Sequence, residues 1–360
     1  MIFDRWTRCR RNGWSWTCVI PLGGCLLAMG GCWRADPQSP RVVVYVALDR
    51  EFSEPVLQAF QEQSGVEFAA KYDIEAYKTV QLANTIQAER ARPRCDVFWN
   101  NEILHTLRLE QLGLLDVYHP QSTGDASVPC QSAAGTWYGM AGRARVLLVN
   151  RQLVSEESLP TSIEDLAAPQ WRGKGGIARP LFGTTATHAA VLYAHWGEKR
   201  CQEFFRQLRE NTELFAGNKQ VAQAVARGQI AFGLTDTDDA LIELQSGSPV
   251  RIVYPDQGPD QMGTLFVPNT IAMIKGAPHR DAACRLMEYL LSAATERQLA
   301  EGGSGQIPLR HRLELQLPVE TPTTIKAMVA DFPKAAKVWP QATAFLHELF
   351  DRADVGPTTN

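Results

Sequence analysis

The chain has 360 residues, enough for one large or two medium domains, and 45% of them are hydrophobic, which suits a folded core. Its formal net charge of -3 gives no strongly basic surface for nucleic acid or for a membrane. We therefore expect no nucleic-acid partner, and any charge selectivity must be local.

The first 32 residues have the pattern of an export signal. Four arginines within residues 5–11 precede an apolar stretch at 14–29, which is too short and too broken to predict a membrane-spanning helix. The stretch ends in Gly-Gly-Cys32, which resembles a bacterial lipobox, with Cys25 as an alternative. The sequence thus predicts a lipoprotein signal peptide over 1–32, lipidated at Cys32, and a tether over 33–40. We expect an exported, periplasmic protein with a lipid anchor in the membrane.

Strand and helix patterns alternate in the first third of the mature chain. A continuous apolar run at 41–47 is typical of a strand buried on both faces. Ser53 is placed to cap the helix that follows. This alternation predicts a mainly parallel sheet. The predicted strands are 41–47, 66–72 and 96–99, and the predicted helices are 53–64, 79–92 and 103–112.

The pattern changes near Trp137, where we expect the chain to enter a second lobe. A strand at 145–149 is predicted to cross into that lobe, and a strand at 270–274 to return from it. The segment 322–351 is predicted to be mostly helical. Between the two crossings we predict strands at 176–178 and 230–234 and helices at 162–167, 185–196, 199–209, 221–227 and 238–245, followed by a helix at 280–291.

Polar residues recur just after the predicted strand ends. In open parallel sheets ligands bind at the carboxyl ends of the strands, so these residues predict a polar cleft. They also have ordinary explanations: acidic residues at 236–239 can cap a helix, and those at 73–75 can form a solvated turn. The candidates are Asp49, Asp73, Glu75, Asn100, Asn101, Glu102, Asp236, Asp238 and Asp239.

Several stretches resemble the periplasmic ferric-ion-binding proteins of bacterial ABC importers, which are type 2 solute-binding proteins. The resemblance implies an α/β, two-lobed type 2 periplasmic-binding-protein fold, each lobe a mainly parallel sheet flanked by helices, with crossing strands between the lobes. Lobe 1 would comprise 41–141 plus 268–315, and lobe 2 142–267 plus 316–355. The clearest stretches are Cys-Asp-Val-Phe at 95–98, Arg-Ala-Arg-Val-Leu-Leu-Val-Asn at 143–150, Leu-Ala-Ala-Pro-Gln-Trp-Arg-Gly at 166–173 and Gly-Gln-Ile-Ala-Phe-Gly-Leu at 228–234.

The resemblance also implies a metal site at four positions of this chain. The usual histidine after the first strand falls on Asp49, the usual carboxylate on Glu102, and the usual tyrosine pair on Asp238 and Asp239. Such an oxygen-only set suits ferric iron, calcium, magnesium or manganese. The alternative is an organic solute of the thiamine, polyamine or phosphonate type, which Tyr45 could contact through its ring.

A second candidate feature is a turn for an anion. Gly183, Thr184 and Thr185 open a predicted helix, where free N–H groups and hydroxyls converge, although Thr184 could be only an N-cap. The resemblance implies a carbonate- or phosphate-like co-ligand at this turn, assisted by Asn218. Of two arginines in the crossing strand, Arg143 and Arg145, we expect the side chains to point to opposite faces and only Arg143 to face the cleft.

These features favour a receptor over a catalyst. The sequence has no nucleophile elbow, HExxH, P-loop or dinucleotide-binding glycine motif. We predict no enzymatic activity, no catalytic cofactor and a monomer that delivers a solute or metal ion to an ABC permease and its ATPase. A carboxylate-based hydrolase and a sensory ligand-binding module are the other classes considered.

Overall fold

The computed structural model describes residues 40–73, 80–121, 131–303 and 305–351. The predicted signal peptide, with Cys25 and Cys32, and the candidate Glu75 lie outside this part of the chain. The described helices are α1 (Arg50–Ser64), α2 (Val80–Ala88), α3 (Leu104–Gln111), α4 (Gly183–Trp196), α5 (Glu198–Asn211), α6 (Asn218–Ala226), α7 (Thr237–Gln245), α8 (Arg280–Leu290), α9 (Ala293–Glu301) and α10 (Phe332–Asp351).

A mixed sheet runs through the described chain in the order β2-β1-β3-β9-β4-β7-β5-β6, and β8 also pairs with β4. Pairs within the β1–β3 and β5–β7 groups are parallel, whereas every antiparallel pair among these strands involves β4 or β9. The strands are β1 (Arg41–Val46), β2 (Glu67–Tyr72), β3 (Val97–Asn100), β4 (Tyr138–Asn150), β5 (Gly175–Ala178), β6 (Thr212–Phe215), β7 (Phe232–Asp236), β8 (Val250–Val253) and β9 (Phe266–Met273).

Strand β4 connects the two parallel groups. Its first half pairs with β9, and its second half pairs with β7 and β8. The register of the β4–β9 pair shifts between Met140 and Gly142, and Gly142 also bridges to Ile307. A Cβ on Gly142 would lie 2.7 Å from the backbone oxygen of Val267, so only glycine fits here. The boundary between lobe 1 and lobe 2 that the sequence places between residues 141 and 142 lies next to this irregularity and remains a prediction.

A buried carboxylate fixes the irregular part of β4. Glu296 is fully buried and accepts hydrogen bonds from four backbone N–H groups: from Ala141 at 2.6 Å, and from Leu309, Arg310 and His311 at 3.0, 2.9 and 2.7 Å. These bonds satisfy N–H groups that would otherwise be buried without partners. They therefore join α9 to the crossing strand two residues before Arg143.

One local prediction differs from the structure. Helix α1 begins at Arg50, and the Ser53 hydroxyl donates to the carbonyls of Leu48 and Asp49, so Ser53 is an interior residue and not the cap. The segment 322–351 is mostly helical as predicted, with α10 beginning at Phe332. The sequence analysis also missed β6, β8 and α9, because a strand of four residues or a polar helix of nine carries a weak periodic signal.

The helices pack on both faces of the sheet. Strand β1 shows this division, with Tyr45 in one core cluster and Val44 and Val46 in another. Within the described residues, we find no helix that combines the length and the apolar character needed to cross a membrane.

Candidate functional site

A cavity of about 340 Å³ lies at the first turns of four helices. These are α1, α4, α6 and α7, each reached from the carboxyl end of a strand. At each of these helix starts, the N-cap residue makes no side-chain capping hydrogen bond. The positive ends of four helix dipoles thus meet one cavity without a capping side chain.

The cavity lining is densely charged. Five carboxylates and four basic side chains reach it, so a ligand would meet both signs of charge. Ten of the residues predicted from the sequence lie in this lining. They are Asp49, Asn101, Arg143, Gly183, Thr184, Thr185, Asn218, Asp236, Asp238 and Asp239.

An ion pair between Arg145 and Asp236 forms the floor of the cavity. The two residues are opposite each other on β4 and β7, and Arg145 Nη1 lies 2.6 Å from Asp236 Oδ1. Both side chains are almost fully buried, at 0% and 3% exposure. Such a pair is favourable only when further hydrogen bonds satisfy the remaining polar atoms.

Two helix starts supply those further bonds. The Thr184 hydroxyl donates to Asp236 at 2.6 Å, and the Asn218 amide donates to Asp236 at 2.9 Å. Arg145 in turn donates to Thr184, Thr185 and Asn218 at 3.1–3.2 Å. The ion pair therefore holds the first turns of α4 and α6 in place beside the strands.

The prediction that Arg143 and Arg145 point to opposite faces of β4 is wrong, although only Arg143 is in the cavity lining. Arg143 lines the cavity, with its Nε 3.4 Å from Asp238 Oδ2, and Arg145 lies beneath it on Asp236. Residues two apart on a strand share a face, so both guanidiniums approach the same acidic segment. Burial by itself would lower the pKa of Arg143, but the carboxylates of Asp238, Asp236 and two further aspartates outweigh burial and raise the pKa.

Three aspartates form the acidic wall of the cavity. One carboxylate oxygen from each of Asp236, Asp238 and Asp239 lies within 4.8 Å of the others. Burial, together with the charges of Asp236 and Asp49, raises the pKa of Asp238, while Arg143 opposes this effect. A cation placed among these oxygens would favour the charged form of Asp238. Asn101, also in the lining, has a buried Oδ1 without a hydrogen-bond partner among the described residues.

Four predicted residues lie outside the cavity lining. The Glu102 carboxylate accepts from the backbone N–H groups of Leu104 and His105, from Asn100 and from Thr187, so it caps the start of α3 and tethers α4. Asn100 is buried beside it. The Tyr45 hydroxyl donates to Glu89 at 2.9 Å. Asp73 follows β2 and also lies apart from the cavity.

Sequence reasoning placed the Arg145 side chain on the wrong face of β4, and it missed four charged lining residues altogether. The missed residues follow β1, β5 and β6, so the strand-end rule used for the aspartates would have found them. They are Arg50, Glu51, Arg179 and Lys219.

Comparison with known proteins identifies the class of this chain. Residues 108–335 match the family described as bacterial extracellular solute-binding protein, and the chain belongs to this family. The resemblance on which the fold class was predicted is thereby confirmed.

Individual relatives agree with this class. Iron uptake protein A2 of Synechocystis sp. is 29% identical over 291 residues, which cover 75% of this chain and 79% of that protein. The major ferric iron-binding protein of Neisseria meningitidis is 26% identical over 271 residues, covering 74% and 80%. The iron-bound structure of HitA from Pseudomonas aeruginosa superposes with a TM-score of 0.77 at 21% identity, covering 86% of this chain and 99% of that one. The predicted two-lobed type 2 fold is confirmed.

Removing the buried arginine tests the floor of the cavity. We expect Arg145→Met to lower the free energy of unfolding by about 3–5 kcal/mol, because Asp236 would stay buried without its counter-charge. Urea denaturation measures the loss. The control Arg200→Met removes an exposed arginine that pairs with Glu164 and should cost less than about 1 kcal/mol. Equal, small losses in the two variants would contradict a structural role for the pair.

His188, one helical turn after Thr184, makes the stability of the folded protein depend on pH. Burial, helped by the charge of Arg145, lowers its pKa to about 3. The unfolded chain takes up a proton near pH 6.5 that the native state lacks, so stability falls as the pH drops from about 6 to 4, by up to about 1.4 kcal/mol per pH unit. His188→Gln should remove this part of the slope, and the exposed control His195→Gln should keep it. Parallel pH profiles for wild type and His188→Gln would refute this assignment.

Proposed function

We propose that this protein captures ferric iron, or another hard cation, outside the cytoplasm and delivers it to the permease of an ABC importer. The observation that carries the proposal is the group of carboxylate oxygens from Asp236, Asp238 and Asp239 in one cavity with Asp49. Carboxylate oxygens are the ligands that hard cations prefer. Relatives of this chain are named for ferric iron, which supports the same cargo.

The four aspartates have different parts in this proposal. Asp236 is already neutralised by Arg145, so the cation would bind mainly to Asp238 and Asp239, with Asp49 as a further carboxylate of the same lining. A bridging anion would lie at the start of α4, beside Thr184 and Thr185. No tyrosine is among the described lining residues, so bound iron would lack the colour that phenolate ligands give.

Delivery would follow from closure of the two lobes around the cargo. A hinge in the crossing strands β4 and β9 would allow such closure.

We also propose that export and lipidation at Cys32 tether the protein to the membrane beside its permease and ATPase. Replacing Cys32 with serine should move the protein from the membrane fraction to the soluble fraction; an unchanged membrane fraction would rule out this anchor.

Metal titration tests the cargo. A ligand present at one hundred times its dissociation constant stabilises the native state by about 2.7 kcal/mol, which a thermal-shift assay detects. We expect ferric iron, supplied as its nitrilotriacetate complex, to raise the melting temperature of wild type. Asp238→Asn/Asp239→Asn should abolish the rise because the cation would lose two of its carboxylate ligands.

The matched control changes two exposed aspartates, Asp260→Asn/Asp281→Asn, and should respond as wild type does. The cation proposal fails if ferric iron, calcium, magnesium and manganese all leave wild type unchanged. It also fails if the Asp238/Asp239 variant responds fully.

A further inference from the structure

We propose that Gln306 is a positioning residue of the cargo site, which holds the carboxylate of Asp238 and passes the effect of bound cargo to the crossing strands β4 and β9. The inference rests on the proposed function in one respect, because it requires cargo at Asp238. It adds the residue that links cargo binding to closure of the two lobes. By the predicted lobe boundaries, Gln306 belongs to lobe 1 and Asp238 to lobe 2, so their contact joins the lobes.

A chain of side-chain amides runs from Asp238 to the crossing strands. The Asn269 amide, in β9, donates to the carbonyl of Ala141 in β4 at 2.7 Å and to Gln306 Oε1 at 2.8 Å. The Nε2 of Gln306 then faces Asp238 Oδ2 at 3.4 Å. A carbonyl and an ionised carboxylate can only accept, so the two ends of the chain fix the orientation of both amides. Both amide residues are fully buried, where such bonds are strongest.

The backbone next to Gln306 is attached to the crossing strand. Ile307 exchanges two backbone hydrogen bonds with Gly142, at 2.7 and 2.8 Å, where the register of the β4–β9 pair shifts. Backbone N–H groups a few residues further on donate to the buried carboxylate of Glu296, which also accepts from Ala141 of β4. The segment that carries Gln306 is therefore bonded to the irregular part of β4 through backbone and side-chain groups.

The same segment packs closely on the helix that carries the cargo aspartates. A Cβ on Gly305 would lie 2.5 Å from Cδ2 of Leu241, and φ at Gly305 is +53°, so this close approach requires glycine. Leu241 lies one helical turn after Asp238 in α7, so Gly305 and Gln306 contact neighbouring turns of one helix face. A displacement of the start of α7 would therefore be transmitted to this segment.

A second donor also lies near Asp238, but it differs from Gln306 in charge. Arg143 Nε is 3.4 Å from the same Oδ2 atom. A cation bound to Asp238 would repel the guanidinium, since both are positive, and would weaken its attraction to the carboxylate. The neutral amide of Gln306 does not meet this repulsion. Because hydrogen bonds to a metal-binding carboxylate orient it, we expect the Gln306 contact to persist and to shorten in the loaded protein.

Replacing Gln306 with methionine tests this role. Gln306→Met keeps the length of the side chain and removes both amide bonds. Isothermal titration calorimetry with ferric nitrilotriacetate should show binding about tenfold weaker than in wild type, the lower end of the loss when an outer partner of a metal ligand is removed. The matched control Gln207→Met removes an exposed amide that donates to Glu203 on α5, and should bind as wild type does.

The change of shape on binding is the measurement that a merely structural role would leave intact. Small-angle X-ray scattering gives the radius of gyration with and without saturating ferric nitrilotriacetate. Cargo should lower the radius of wild type and of Gln207→Met, and should lower that of Gln306→Met by less than about half as much. Asn269→Ala breaks the amide chain at its next member and should reduce the shape change in the same way. If Gln306→Met does not fold, Asn269→Ala decides by the same reading.

The outcomes separate this inference from the proposed function. Weaker binding together with a reduced shape change in Gln306→Met supports both. A variant that binds and closes as wild type does overturns the inference and leaves the cation proposal standing. The same holds for weaker binding with a full shape change at saturation, and for a wild type that binds cargo without any change of radius. A wild type that binds no ferric iron overturns the iron cargo and the inference together.

Discussion

The ion pair between Arg145 and Asp236 is the interaction on which the architecture of the site depends. It joins the crossing strand β4 to β7 at a direct cross-strand position, and hydrogen bonds from Thr184 and Asn218 attach two helix starts to it. A buried charge without its partner is strongly unfavourable, so the pair keeps four elements in one arrangement. Asp238, Asp239 and Asp49 line the same cavity as Arg143, whose Nε lies 3.4 Å from Asp238.

The site is also connected to the irregular part of the crossing strand. Arg143 directly follows Gly142, where the β4–β9 register shifts, and Glu296 binds the backbone N–H of Ala141. On the site side, the amide of the buried Gln306 lies 3.4 Å from Asp238 and accepts from Asn269, which donates in turn to the carbonyl of Ala141. A cargo that attracts Asp238 or Arg143 would therefore act on the strand where we place the hinge. This arrangement suits a receptor whose shape responds to its load.

The sequence was a good guide to the elements of the fold and to the position of the cavity. Buried apolar runs such as 41–47 are strands almost regardless of context, and polar residues after strand ends meet at one edge of a parallel sheet. For this reason Asp49, Asn101 and Asp238 could be predicted although they are far apart in the chain. The same rule did not distinguish Asn101, in the cavity wall, from Asn100, which is buried behind it. Asn100 is the last residue of β3 and Asn101 the first beyond it, and the strand-end rule does not say which of the two side chains faces the ligand.

Other features could not be predicted because they depend on tertiary pairing. Glu102 has the right residue type at the right strand end, but two backbone N–H groups of α3, the side-chain amide of Asn100 in β3 and the hydroxyl of Thr187 in α4 use its oxygens. Arg145 pairs with a residue 91 positions away, and the separation alone gives no signal of contact. The charged residue types near the strand ends could therefore be read from the sequence, whereas the residues with which they pair could not.

The central claim is that cargo binds among Asp238, Asp239 and Arg143. The most direct test is a crystal structure of protein purified from its native compartment without chelator, with anomalous diffraction recorded at the iron absorption edge. We predict an anomalous peak within coordination distance of Asp238 and Asp239. A filled cavity with no metal would remove the cation from the account. Metal or ligand density elsewhere, with this cavity holding only water, would contradict the claim.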